Sequence, residues 1–246
     1  MGRTAAIVLL EVPEGVTVRI DLAPAVPAGH GRCGFQGVPP GFHRVEAVGR
    51  DLRAQGWVLV SGGETQARTC DASGLLLPTS RYRAAQVAGM RAEGELRLGE
   101  YPSEPNGLWP ALTAPLRPET FPPQLRQDPE GKGSHFLRAL EGTHGGEWPS
   151  YLEELAWSFL LGHLDADGAG RKRWQELFQA TCAAGDVSAA RNPELFVKLA
   201  GLIPAQLSAL PPEQREPQLA AARQLAADLA RCEDPQVRAA ATSLQV

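Results

Sequence analysis

The sequence predicts an α+β protein of two domains, a β-rich, sandwich-like N-terminal domain followed by an all-helical C-terminal domain. Three observations carry this. Between residues 5 and 70 the apolar residues come in short runs or alternate with polar ones, which is the period of strands. From Trp148 to Cys182 they recur at three- and four-residue intervals, which is the period of helices. Between the two regimes, residues 115–133 are rich in proline and polar residues and read as a linker. The predicted boundaries are therefore 1–114, 115–133 and 134–246.

In chain order, Ala5 to Val12 reads as a buried strand and Pro13-Glu14-Gly15 as a turn. Val16 to Leu22 alternates as a strand with one wet face does, and the two are expected to pair as a hairpin. Ala23 to Gly41 is so rich in Pro and Gly that it reads as a long irregular loop, with Phe35 as an inward anchor. In Val38-Pro39-Pro40-Gly41-Phe42-His43, two prolines fix two φ angles and Gly41 turns the chain into the next strand. Further strands are expected at 43–48, 56–61 and 64–70. Residues 81–98 have helical spacing, stopped by Tyr101-Pro102, and Trp109 and Leu112 are expected to close off an apolar interior.

The helical half opens with a short helix N-capped by Ser134. A hairpin follows, in which Leu152, Leu155, Ala156, Phe159, Leu160 and Leu164 face Trp174, Leu177, Phe178, Thr181 and Cys182 across a turn at Asp165 to Gly170. Asn192-Pro193 opens another helix that Pro204 bends or ends. Pro212 to Cys232 forms a long alanine-rich helix, and Asp234-Pro235 starts the last one.

Composition narrows the partners. With 43% hydrophobic residues in 246, the chain can build real cores. A net charge of -4 argues against a phosphate-backbone binder, so no direct nucleic-acid contact is expected. No apolar stretch approaches a membrane span. Four cysteines without CxxC spacing fit a reducing, cytoplasmic setting. Scarce lysine with abundant Arg, Ala, Gly and Pro resembles proteins of GC-rich bacterial genomes.

A set of short passages in register resembles a known family. These are Val12-Pro13-Glu14-Gly15-Val16 through Ile20-Asp21, Phe35-Gln36-Gly37, Pro39-Pro40-Gly41-Phe42-His43, Met90-Arg91-Ala92, Leu98-Gly99-Glu100-Tyr101-Pro102, and Trp109 with Leu112-Thr113. Together they are similar to the N-terminal domain of the Aar-two family. Glu154 to Gly162, Trp174 with Leu177 and Cys182, and Leu195 to Ala205 are similar to its helical domain. The connection between domains is shorter here, and the 165–170 turn longer. The resemblance implies a superhelical, VHS-like C-terminal domain and a non-enzymatic assembly factor with no cofactor. Its partner would be the large scaffold protein of a spliceosomal small nuclear ribonucleoprotein in a eukaryote, and another protein in a bacterium. Pro40, Gly41, Phe42 and His43 are the candidate partner-binding residues.

Each feature that looks chemical has an ordinary reading beside it. Asp165, Asp167, Gly170 and Glu176 match positions of a calcium loop, but Ala169 and the basic Arg171-Lys172-Arg173 break it, and helix capping explains the same letters. His30, Cys33, His43 and Cys70 match no zinc spacing, and His43 is expected to fix the Pro-Pro-Gly turn by hydrogen bonding. Ser61-Gly62-Gly63 and His144-Gly145-Gly146 read as turns. His163 is expected to complement a helix C-terminus, and Arg171 to Arg173 to be a solvated helix start with Trp174 turned inward. The competing class is an enzyme with a site in the cleft between domains near His43.

Overall fold

The computed structural model describes residues 5–28, 31–71, 76–79, 81–93, 96, 98–102, 107–121, 136, 140 and 144–244. The chain divides into two compact units, residues 1–109 and 110–246.

The first unit is built around β1 (Ala5–Val12), which is buried along its length except at Glu11. Such a strand reads as an unbroken apolar run because both faces are covered. β2 (Thr17–Ile20) and β3 (Val26–Pro27) follow, then β4 (Gly31–Val38), β5 (Gly41–Val48), β6 (Arg53–Val60), β7 (Thr65–Cys70), β8 (Leu76–Pro78) and, further on, β9 (Gly99–Glu100). One sheet runs β8-β7-β1-β4-β9 and the other β3-β2-β5-β6. Ile7, Leu9 and Phe35 of the first sheet share a core with Val18, Ile20, Val45 and Val58 of the second. On the other face of the first sheet, α1 (Arg81–Ala92) covers Val8, Leu10 and Ala67 with Val87.

Two expectations are corrected here. β1 and β2 do not form a hairpin, since β1 pairs with β4 antiparallel and β7 parallel, whereas β2 pairs with β3 and β5. A strand has only two edges, and both edges of β1 are taken. The register shift between Leu10 and Val12, with Glu11 at φ 61° and Gly15 at φ 76°, steers the chain into the opposite sheet. The stretch 23–41 is not an irregular loop either, for eight of its residues form β4. A Cβ on Gly34 would lie 2.0 Å from the Ile7 carbonyl oxygen, so the glycine that suggested a loop is there to let two strands approach. The helix at 81–98 ends earlier than expected, at Ala92.

α2 (Leu108–Thr113) contains the division between the units. The predicted linker 115–133 begins with anchored residues: Leu116 is buried, and Arg117 binds the buried Glu153 through its backbone N–H (2.9 Å) and through Nε and Nη2 (3.1 and 2.8 Å). Thr120 donates to the same carboxylate. The rest of that stretch, and Ser134, lie outside the described residues, but Phe136 and Leu140 of the expected short helix are buried.

Every described element of the second unit is helical. α3 (Trp148–Leu164) is buried without interruption from Tyr151 to Leu160 and packs against α4 (Gly168–Cys182). Burying each large apolar side chain contributes about 2 kcal/mol, which is what holds so short a hairpin together. The turn is tighter than expected, with only 165–167 outside the helices, and Asp167 caps α4 by accepting from the Ala169 and Gly170 N–H groups. Gly162 lets the helices touch, since a Cβ there would sit 2.4 Å from the Arg171 nitrogen. α5 (Gly185–Arg191), which the sequence did not suggest, precedes α6 (Pro193–Ala209), α7 (Pro212–Leu229) and α8 (Pro235–Ala241). Pro204 lies within α6 and does not end it. Among the described residues no helix is long and apolar enough to cross a membrane.

Candidate functional site

Asp21 follows β2 in a left-handed conformation, φ 56°, which aspartate tolerates better than most residues. Its carboxylate faces three donors: Arg44 N–H at 2.9 Å, Tyr101 O–H at 2.7 Å and the His43 ring at 2.8 Å. The other ring nitrogen, Nε2 of His43, lies 2.8 Å from the Pro39 carbonyl. A carbonyl only accepts, so Nε2 carries hydrogen and donates to it, while one proton lies between Nδ1 and Asp21. Tyr101 stands edge-on to His43, with centroids 5.6 Å apart. The Pro-Pro-Gly turn is thus fastened to β2 and to the segment after β9, and His43 fixes that turn by hydrogen bonding as the sequence suggested. Trp109 Nε1 donates to the Phe42 carbonyl at 2.8 Å and its ring stacks on Trp57. Passages far apart in the sequence, at Ile20-Asp21, Pro39 to His43, Tyr101 and Trp109, therefore meet in one place.

This cluster is closed. Of the four candidate contact residues, Pro40 is exposed and Gly41 half-buried, whereas Phe42 and His43 are buried, His43 to 2% exposure. On the other side of β5, Arg44 reaches Glu46 (3.3 Å) and Gln55 (2.8 Å), and Arg53 also binds Glu46.

The second unit holds a comparable polar cluster. Glu154 is 2.8 Å from Arg173 Nε and 3.1 Å from His144 Nε2, and Arg173 also reaches Glu176 at 3.4 Å. Burial by itself would raise the Glu154 carboxyl, but the hydrogen bonds and charges of His144 and Arg173 outweigh it and hold the group below the usual carboxylate value. Arg173 is buried, so the basic triplet is not solvated throughout, although Trp174 turns inward as expected. Trp174 Nε1 donates to Gln206 (3.0 Å), which in turn donates to the Leu155 carbonyl (3.3 Å), a three-helix bridge that no sequence signal marks. Nδ1 of His144 lies 3.4 Å from the Ser150 hydroxyl, an order of acid, histidine and serine. However, the ring of His144 is enclosed and its carboxylate is already held by Arg173, which makes the arrangement a tie between the turn at 144–146 and α3.

The remaining candidates serve the fold. Asp167 is a helix cap and Glu176 an ion-pair partner. His30 lies outside the described residues. Among the described residues no three His, Cys, Asp or Glu side chains gather as metal ligands would. Cys33 and Cys182 are buried free thiols that burial pushes up to about 12, Cys33 with a smaller contribution from Cys70. His163 departs from expectation. Burial, then the charge of Arg171, lowers it to about 4 despite a hydrogen bond with Gln214, so at neutral pH it is an uncharged ring packed on Phe159 and Trp174 and cannot serve as a cation for the helix dipole.

Among the described residues of the second unit, an apolar groove of about 520 Å³ opens to solvent. Ala111, Ala114 and Pro115 form one wall and Trp148, Pro149 and Leu152 a second. Val197, Lys198, Gly201 and Leu202 of α6 form the third, in which Lys198 is the only charged residue. No sequence signal marks it, because its walls come from three segments that lie far apart in the chain. No family model matches the chain, and no characterised protein matches it in sequence.

Proposed function

We propose that this protein is a non-enzymatic binding or assembly factor that holds another protein, the kind of task the Aar-two resemblance implies, with a VHS-like arrangement of its helices. The observation that carries this reading is the contrast between its polar groups and its open groove. His43, Asp21, Glu154 and Arg173 are buried and engaged with one another or with backbone, whereas the groove that the described residues of the second unit open to solvent is apolar. A concave apolar surface of this size, with a single charge, suits recognition more than turnover. The partner is a spliceosomal scaffold protein if the source is eukaryotic, and a protein of different identity otherwise. An enzyme centred on His43 is disfavoured because both ring nitrogens are committed and only 2% of the residue is exposed.

Affinity purification of the intact chain from its native source tests this. One protein recovered in fixed stoichiometry, and reconstituted from purified components, is expected. Repeated recovery of the chain alone with a bound metabolite would overturn the reading.

A further inference from the structure

Resting on that reading, we propose that the groove of the second unit receives a short segment of the partner that carries one or two apolar side chains next to a carboxylate. The lining of the groove explains the apolar part. Gly201 lies in the interior of α6, where glycine is the poorest residue for a helix after proline. Nothing lies within 4 Å of where its Cβ would be, so packing inside this chain does not require it. Contrast Gly162, where the neighbouring helix forbids a side chain. Gly201 lines the groove with Val197, Leu202 and Leu152, and its missing side chain leaves that part of the groove open. A partner side chain that enters there exchanges water for aliphatic and indole surface.

The charge explains the rest. Lys198 stands on the exposed side of this wall, no carboxylate among the described residues lines the groove with it, and it makes no ion pair with any described residue. An acidic group beside the apolar anchor meets Lys198, whereas a basic one is repelled by it. Exposed ion pairs contribute little affinity and more discrimination, so the apolar anchor supplies the grip and Lys198 the choice.

Panning a random peptide library against the immobilised intact chain tests this, with enriched peptides resynthesised and titrated by fluorescence polarisation. Enriched sequences should share an aliphatic or aromatic residue adjacent to Asp or Glu. Gly201→Leu should weaken them at least about tenfold by filling the groove, with the thermal midpoint unchanged or raised because helix propensity improves. Lys198→Met should cost about two- to fivefold, and Lys198→Glu should turn selection toward peptides carrying Lys or Arg. The proposal fails if nothing is enriched, if enriched peptides bind the Gly201→Leu chain as they bind the original, or if Lys198→Glu leaves selection unchanged. It fails equally if sedimentation shows the chain assembling with itself through this groove, the assembly being lost in Gly201→Leu. Undiminished recovery of the native partner by Gly201→Leu would remove the groove from the account and leave partner binding itself standing.

Discussion

The two units solve the same pair of problems by different means. Among the described residues, each contains a place where two backbones come into contact over a glycine, Gly34 against Ile7 in the sandwich and Gly162 against Arg171 in the helical unit. Each also buries a carboxylate beside a histidine. In the sandwich, Asp21 is satisfied by a backbone N–H, a phenol and a ring nitrogen, so its bonds hold a turn in place. In the helical unit, Glu154 is held by Arg173 and His144, so its bonds tie α4 and the turn at 144–146 to α3 through side chains alone. A sheet has a ladder to hold its strands, and its buried acid is free to shape a loop. Helices have no bonds between them, and their buried acid must supply some.

The glycines give the largest test. Gly34→Ala places a Cβ against a carbonyl oxygen that the β1–β4 ladder cannot release, and a loss above about 4 kcal/mol is expected, read as collapse of amide protection in β1, β4 and β7. Gly162→Ala should cost less, about 3 kcal/mol, because two helices can slide apart more easily than a strand can leave its ladder. If both are tolerated, the close approaches are not what sets the packing.

The carboxylates come next. Arg173→Met leaves Glu154 charged and only partly compensated, and about 3 kcal/mol should be lost in urea unfolding. Asp21→Asn keeps an acceptor and a residue at ease in the left-handed conformation, so about 1–2 kcal/mol is expected. Equal losses would erase the distinction between a charge tie and a loop tie.

The smallest effect is on pH dependence. His163 is near 6.5 unfolded and about 4 folded, so the unfolded chain takes up a proton that the folded one refuses. The stability from its neutral ring is complete above about pH 6.5 and is lost as pH falls toward 4. Glu154, lowered in the fold, adds a loss at more acid pH as it becomes protonated. Urea midpoints of the wild type should therefore decline from pH 6.5 to 4, and His163→Phe should flatten that decline while leaving the more acid loss in place.

Elements whose signal lies in their own residues were legible. The α3–α4 hairpin, the Asn192-Pro193 and Asp234-Pro235 helix starts and the strands at β1, β5 and β7 follow from periodicity, from where proline fits and from where aspartate caps. β4 was missed because composition assigns Gly-rich segments to loops, and only its neighbour β1 reveals why Gly34 is needed. The role of His43 in its turn was legible from Pro39-Pro40-Gly41. Its partners Asp21 and Tyr101 were not, since they come from 22 and 58 residues away, and nothing local announces a buried acid.

Alternation and helical spacing, which each residue's own preference and hydrophobicity impose, were enough to divide the chain into a strand-rich part and a helical part. Which strands became neighbours, which acids were buried with which bases, and where a groove stayed open were settled only when distant segments competed for the same edges and the same core. Those outcomes depend on contacts between residues far apart in the sequence, and no local pattern encodes a contact of that kind.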